Sequence, residues 1–222
     1  MAIKNDYMLK LIESIMTFLG EVCGLRKIGK ILEARELLKS TYVSYFGIKE
    51  STIRSLSFEN LLHMLSYEKS LDPNMYYLLG KLIKEDALID LEQDNLSGAI
   101  DYFEKGLRFY LYALSVNKED LAYEEDLRKD IEEILEFTEE YELSYETNKD
   151  IFLFLFYDRK YDKAEDMLYS LLEQSQDNQY TVEMGIAFYD ELSRKPEEEL
   201  ENGNLPMSEV IDGRNALRSK LI

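Results

Sequence analysis

Apolar residues recur along this chain at steps of three and four positions, the spacing that places side chains on one face of an α-helix. Near the start, the stripe consists of Met8, Ile12, Ile15, Leu19 and Val22. These positions line up along one side of a helical cylinder and leave the polar residues on the other side. The pattern therefore predicts an amphipathic helix in this segment.

Capping signals and further apolar stripes predict helices along almost the whole chain. Asp72 followed by Pro73 is typical of an N-cap and a first helical residue, so a helix should extend to about residue 92. A stripe from Leu127 to Tyr145, with charged residues around it, predicts a long and half-exposed helix over 119–145. Further helices are predicted near 57–67, 95–115, 148–157, 161–175 and 178–194, after Pro196 and after Pro206. The predicted fold class is all-α.

Three segments share one pattern: GKILEARELLKSTY, DNLSGAIDYFEKGL and DRKYDKAEDMLYSLL. Each has a polar turn, a hydrophobic residue, an alanine three residues later and a large apolar residue four residues beyond. The alanines, Ala34, Ala99 and Ala164, lie 65 residues apart both times. The pattern resembles the second helix of a tetratricopeptide repeat, where a small residue lets the two helices of a hairpin approach closely. The spacing is close to twice that family's period of about 34 residues.

This resemblance implies a right-handed solenoid, or superhelix, of tetratricopeptide-like helical hairpins with additional helices between them. The helices predicted at 57–67 and 119–146 would take the place of a second, degenerate unit. The first helix of each hairpin lacks the tryptophan, leucine and glycine of the family. An irregular helical bundle is the alternative.

Four stretches together, NDYMLKLIE, LRKIGKILEARELL, SLSFENLLHML and AFYDELSRKPEEELENGNLP, resemble an uncharacterised bacterial family of tetratricopeptide-like proteins known only as a domain of unknown function. The resemblance covers most of the chain and implies a fold without an assigned chemistry. The run from Asn202 to Asn204 is the best candidate for a boundary. We therefore expect a tetratricopeptide-like domain over 1–202 and a C-terminal helical extension, packed on it, over 203–222.

The net charge of -19 is unevenly distributed. Residues 1–54 carry nine basic against six acidic side chains, whereas residues 118–146 carry three against thirteen. An acidic surface repels nucleic acid and anionic lipid, so neither is an expected partner. Cys23 is the only cysteine, which excludes an intramolecular disulfide and favours a reducing, cytoplasmic location. No charge-free run approaches the roughly 20 residues that span a bilayer.

No motif in the sequence indicates catalysis. The single histidine lies among apolar residues, the paired carboxylates fall on polar helix faces, and neither a calcium loop nor a glycine-rich phosphate loop is present. We expect a non-enzymatic protein without a cofactor and without a metal.

The repeat pattern places basic residues on the inner, concave side of the predicted hairpins. They are Arg26, Lys27, Lys81, Lys84 and Lys149. Lysines in such a groove can bind the carboxylate of a peptide C-terminus through charge-assisted hydrogen bonds. Equally, they can simply solubilise exposed faces or pair with the acidic helix.

Three functions follow as hypotheses. The first is a module that binds a protein or peptide, or a second copy of itself as a homo-oligomer. The second is an acidic mimic of nucleic acid, in which the helix over 118–146 occupies a nucleic-acid-binding surface of another protein. The third is a small-ligand receptor whose pocket is lined by some of the 17 tyrosines and 10 phenylalanines.

Overall fold

The computed structural model describes residues 2–66, 72–116 and 121–221, and side chains from residue 9 onward. Every regular element in these residues is helical, which confirms the all-α prediction. The chain forms two compact units, residues 1–142 and 143–222.

The first unit contains α1 (Ala2–Lys27), α2 (Ile31–Thr41), a π-helical turn (Tyr42–Phe46), α3 (Glu50–Ser55), α4 (Phe58–Ser66), α5 (Pro73–Glu92), α6 (Leu96–Val116) and α7 (Glu124–Thr138). The second contains α8 (Tyr145–Tyr157), α9 (Tyr161–Gln174), α10 (Gln179–Leu192), α11 (Glu197–Asn202) and α12 (Met207–Ser219). The predicted division between 202 and 203 stays a prediction; α12 packs on α10, beside Tyr189.

The three predicted segments each form the second helix of a hairpin, α1/α2, α5/α6 and α8/α9, and the three alanines are fully buried. The three turns are alike. Gly29, Asp94 and Arg159, again 65 residues apart, all have φ between 57° and 75°. The next residue's N–H donates to the carbonyl five residues earlier in each turn, at 2.9 to 3.0 Å. This is a Schellman-type helix end repeated three times.

Helices α5 and α6 pack most extensively, and small residues make this possible. A Cβ atom on Gly80 would overlap the ring of Tyr110 and would lie 3.1 Å from the carbonyl oxygen of Gly106. The two backbones therefore meet where neither helix has a side chain. Because α5 is also covered on other sides, most of its residues are buried, including the polar ones Lys84, Asp86 and Asp90.

The acidic helix is shorter than predicted. It ends at Thr138, and α8 starts at Tyr145, three residues earlier than expected. The Ser144 hydroxyl caps α8 by accepting a hydrogen bond from the Thr147 N–H, so the stripe that continued to Tyr145 belongs to two helices. The predicted start near residue 119 lies outside the described residues.

Candidate functional site

Two of the predicted lysines on α5 lie together and face α7. The ammonium nitrogen Nζ of Lys81 is 2.6 Å from Asp130 Oδ2, and Nζ of Lys84 is 2.8 Å from Asp130 Oδ1. Lys84 also donates to Glu133, and the Tyr77 hydroxyl donates to Asp130 at 3.3 Å. Burial would lower the pKa of Lys84, but the hydrogen bonds to both carboxylates raise it, so the ammonium stays charged. In this unit, both lysines therefore bind a carboxylate of the same chain, that of Asp130.

Apolar contacts hold α7 in this position. Leu127, Ile131 and Ile134 are buried on its inner side. The ring centre of Phe137, also on α7, lies 4.6 Å from that of Phe103 on α6. Burial of each large aliphatic side chain contributes about 1.5–3 kcal/mol. The acidic helix is thus packed in the first unit by an apolar seam and by its central carboxylates.

The other two basic candidates of the first unit are separate from this pair. Arg26 donates to Glu85 at 3.2 Å and to Glu92 at 2.7 Å, and so joins α1 to α5. Lys27 is exposed at the end of α1. Nearby, burial and the charge of Glu85 raise the pKa of Cys23 to about 11, which keeps it a protonated thiol at neutral pH.

The fifth candidate, Lys149, lies in the second unit in different surroundings. Its Nζ is 2.9 Å from Glu146 on the same helix and 5.9 Å from the centre of the Tyr180 ring of α10. The hydrogen bond to Glu146 raises the pKa of Lys149. Lys149 and Lys84 are 65 residues apart, the spacing of the hairpins.

Around Lys149 the second unit exposes apolar and aromatic side chains. Leu153 and Tyr157 follow at four-residue steps on α8 and are 37% and 70% exposed, and Tyr180 is 60% exposed. Phe156, half-buried beside Tyr157, completes the patch. We call these five residues, Lys149, Leu153, Phe156, Tyr157 and Tyr180, the α8–α10 surface.

Aromatic packing underneath fixes the two helices that carry this surface. The Phe188 ring of α10 contacts Phe152 and Phe156 of α8, with ring centres 5.3 and 5.5 Å apart. The hydroxyl groups of Tyr145 and Thr181 are 2.8 Å apart. These contacts pack α8 against α10 beneath the surface.

A second polar cluster, which the sequence reasoning missed, joins α2, α3 and α5. Arg54 donates to Asp86 at 3.1 Å and to Asp90 at 2.8 Å, and Arg35 donates to Asp90 at 2.6 Å. Glu50 accepts from Arg54 at 2.7 Å. We call these five residues the arginine–carboxylate cluster. Asp86 and Asp90, four residues apart and therefore on one face of a largely buried helix, were the signal that could have revealed it.

The pKa values of the two aspartates in this cluster are shifted in opposite directions. Burial raises the pKa of Asp86 to about 7, although Arg54 works against the shift. Burial also acts on Asp90, but the hydrogen bonds from Arg54 and Arg35 lower its pKa. Asp90 is thus held as a carboxylate between two guanidinium groups.

An aromatic pocket lies elsewhere in the first unit. A cavity of about 210 Å³ is lined by Tyr45, Phe46, Gly47, Ile48, Met64 and Leu65. Its one side-chain hydroxyl, from Tyr45, is 2.6 Å from the Ser14 hydroxyl. The cavity is smaller than the roughly 300 Å³ from which ligand pockets usually start, and it offers few polar groups that could orient a ligand.

Within the described ranges, the structure contains no group of three or more His, Cys, Asp or Glu side chains placed to hold a metal ion. In those same residues, every helix is too short or too polar to cross a membrane.

In the residues that the structure describes, the protein is all-helical and contains three similar helical hairpins. The chain belongs to a family of unknown function, DUF6483, whose model matches residues 2–221. No curated protein and no solved structure matches the chain. This match confirms the prediction that the chain belongs to an uncharacterised family. That the family is tetratricopeptide-like and bacterial stays a prediction.

Proposed function

We propose that this chain is a non-enzymatic, cytoplasmic module that binds a protein or peptide on the α8–α10 surface. The observation that supports it is the exposure of Leu153, Tyr157 and Tyr180 around Lys149, on helices that Phe188 holds together. Exposed aromatic side chains beside a cation supply both the apolar anchor and the polar contact of a peptide site.

The partner we propose is a segment with a carboxylate next to large apolar side chains. The first unit provides the precedent, because Lys84 there binds Asp130 of a helix whose neighbouring Ile131 and Ile134 are buried. Lys149 occupies the position 65 residues further on. A peptide carboxylate would replace Glu146 as its partner, and the apolar side chains would cover Leu153 and Tyr157.

We further propose that the hairpins form a tetratricopeptide-like right-handed solenoid. The shared turns at Gly29, Asp94 and Arg159 support this proposal, as do the three buried alanines. In this arrangement the first helix of each hairpin lines the binding face, which is where the α8–α10 surface lies. Of the five predicted residues, Lys149 is the one we retain for peptide binding.

The experiment is a titration of the isotope-labelled full chain with a synthetic peptide of residues 121–142, which carries the sequence of α7 as a probe. We expect NMR shift changes at Leu153, Tyr157 and Tyr180, and saturable binding. The variant Tyr157→Ala should weaken it about tenfold, since an exposed aromatic anchor contributes more than 1 kcal/mol. Shift changes confined to α5 and α6, or none at millimolar peptide, would contradict the proposal.

The acidic-mimic hypothesis has one supporting observation. The outward side of α7 and the residues after it expose a row of carboxylates: Glu125, Asp126, Glu132, Glu136, Glu139 and Glu140. Lys129 interrupts the row, and the central Asp130 faces the lysines of α5. We rank this function second. Charge reversal at Glu132 and Glu136 would abolish salt-sensitive binding of a basic protein and leave peptide binding at the α8–α10 surface unchanged.

A further inference from the structure

The turns that join the helices of the three hairpins have similar backbones but different surroundings. We call residues 28–32, 93–97 and 158–162 the first, middle and last tips. They follow one another at the 65-residue spacing of the hairpins, and each contains the left-handed residue of its turn. Equivalent positions of the three tips can therefore be compared residue by residue.

The last tip is covered by residues 197–204 of its own unit, which we call the covering segment. The N–H of Asp162 donates to the carbonyl oxygen of Gly203 at 3.1 Å. The Tyr161 hydroxyl donates to the Glu199 carboxylate at 2.7 Å. A Cβ atom on Gly203 would overlap the Tyr161 ring, so the covering segment lies directly on the tip.

Opposite charges meet at this contact. Four of the eight residues of the covering segment are glutamates. On the tip, Nε of Arg159 is 3.9 Å from the Glu199 carboxylate, and Lys160 is the next residue. Leu200 of the covering segment is fully buried. In the second unit, a basic tip is thus matched by an acidic segment that also supplies an apolar side chain.

The first tip has no such cover among the described residues, and it carries apolar side chains where the other tips are polar. Ile28 and Leu32 are 68% and 76% exposed. The equivalent residues are Gln93 and Ser97 in the middle tip and Asp158 and Asp162 in the last tip. Exposed apolar side chains that are grouped and rimmed by polar residues mark an interaction site, and here two share a five-residue turn.

Basic side chains flank this apolar pair. Lys27 is exposed immediately before the first tip. Lys30 lies within the tip, and its side chain is 50% exposed and pairs with Glu33 at 3.0 Å. Two lysines beside two aliphatic side chains are complementary to a segment that combines carboxylates with an apolar residue. Nucleic acid would also meet the lysines, but the net charge of -19 repels it.

We infer that the first tip is an interaction surface for another protein, and that the partner presents an acidic segment with an aliphatic side chain. The carboxylates contact Lys27 and Lys30, and the aliphatic side chain covers Ile28 and Leu32. The covering segment of the second unit shows the chemistry of such a contact at an equivalent tip. The first tip shares no residue with the α8–α10 surface, so the inference does not depend on the function proposed above.

The test is an NMR titration of the isotope-labelled full chain with a synthetic peptide of residues 196–206, which contains the covering segment. We expect saturable shift changes at Ile28, Gly29 and Leu32. The double variant Ile28→Gln with Leu32→Ser gives the first tip the residues of the middle tip and should weaken binding about tenfold. Both side chains are exposed, so the unfolding temperature of the double variant should match that of the native chain.

Two further variants test the charge and the location. Lys27→Glu should weaken binding about fivefold and reduce its dependence on salt, because it reverses a charge that faces the peptide carboxylates. Leu96→Ala removes a side chain of the middle tip that is 43% exposed, and it should leave the affinity within about twofold.

Three results would overturn the inference. The first is shift changes confined to residues outside the first tip, or none at millimolar peptide. The second is an unchanged affinity in the double variant. The third is a response of the first tip to an RNA oligonucleotide but not to the peptide, because it would assign the surface to nucleic acid.

Discussion

The middle and last hairpins place a lysine at equivalent positions, and the two lysines have different surroundings. In the first unit, Lys84 of α5 binds Asp130 and Glu133 of a helix that follows in the chain. In the second unit, Lys149 of α8 has Glu146 of its own helix and the ring of Tyr180. The equivalent face of the hairpin is thus covered in the first unit and exposed in the second.

This difference is the basis of the proposed binding function of the α8–α10 surface. Around Lys84, buried Leu127 and Ile131 make the acidic helix part of the core of its unit. Around Lys149, Leu153 and Tyr157 remain exposed to solvent. Removing one partner of a buried charged contact leaves the other charge unpaired and destabilises the fold. A charged group with exposed apolar neighbours is, in contrast, accessible to a partner.

The largest effect should come from removing the carboxylate on the covered face. Asp130→Ala would leave Lys81 and Lys84 without their shared partner in a mostly buried place, at a cost of about 3 kcal/mol in the free energy of unfolding. Urea denaturation measures it. The matched control is Glu133→Ala, since that side chain is 67% exposed and should cost less than about 1 kcal/mol. Equal costs for both would show that α7 does not depend on the buried contact.

The next largest difference should be in the unfolding free energy when an apolar side chain is truncated on the covered face or on the exposed face. Ile131→Ala on α7 removes a fully buried side chain and should cost about 2–3 kcal/mol. Leu153→Ala on the α8–α10 surface should cost less than about 1 kcal/mol. Thermal and urea unfolding of both variants test the difference. A large cost at Leu153 would mean that the exposed face is structural.

Acid should destabilise the first unit through Asp90. Because arginine hydrogen bonds lower the pKa of Asp90 in the folded state, its stabilising contribution is present above about pH 4, the unfolded value. It is lost as the pH falls through the lower folded pKa. Asp90→Asn should reduce the decline of the unfolding free energy below pH 4, whereas Asp212→Asn, at an exposed position of α12, should not. Parallel pH profiles for the native chain and Asp90→Asn would contradict this account.

The smallest effects should come from the helix-ending turn, which occurs in the same form in both units. Asp94 and Arg159 have φ of 57° and 60°, a conformation that glycine adopts without strain. Asp94→Gly and Arg159→Gly should each raise the unfolding free energy by about 0.5–1 kcal/mol, and Gly29→Ala should lower it by a similar amount. A decrease in either glycine variant, measured by thermal unfolding, would show that the side chain itself stabilises the turn.

Much of the fold was predictable because helical periodicity and capping residues are local properties. Asp72 caps α5 as expected, and the three alanines are buried between paired helices. The break between Thr138 and Tyr145 was missed because the apolar spacing continues across it, and the cap at Ser144 appears only in the folded backbone.

The sites were less predictable than the helices. The sequence identified Lys84 and Lys149, but their partners come from helices 46 and 31 residues away, Asp130 and Tyr180. The arginine–carboxylate cluster depends on Arg35 and Arg54, which are more than 30 residues from Asp86 and Asp90. Pairing over such separations is a property of the tertiary structure.

The most direct test of the central claim is the affinity of the full chain for the peptide of residues 121–142, measured by isothermal titration calorimetry. Tyr169 of α9 is 48% exposed in the same unit and provides the control. The account predicts that Tyr157→Ala weakens binding about tenfold while Tyr169→Ala leaves it within about twofold. Equal affinities for the native chain and both variants would contradict the assignment of the α8–α10 surface as the binding face.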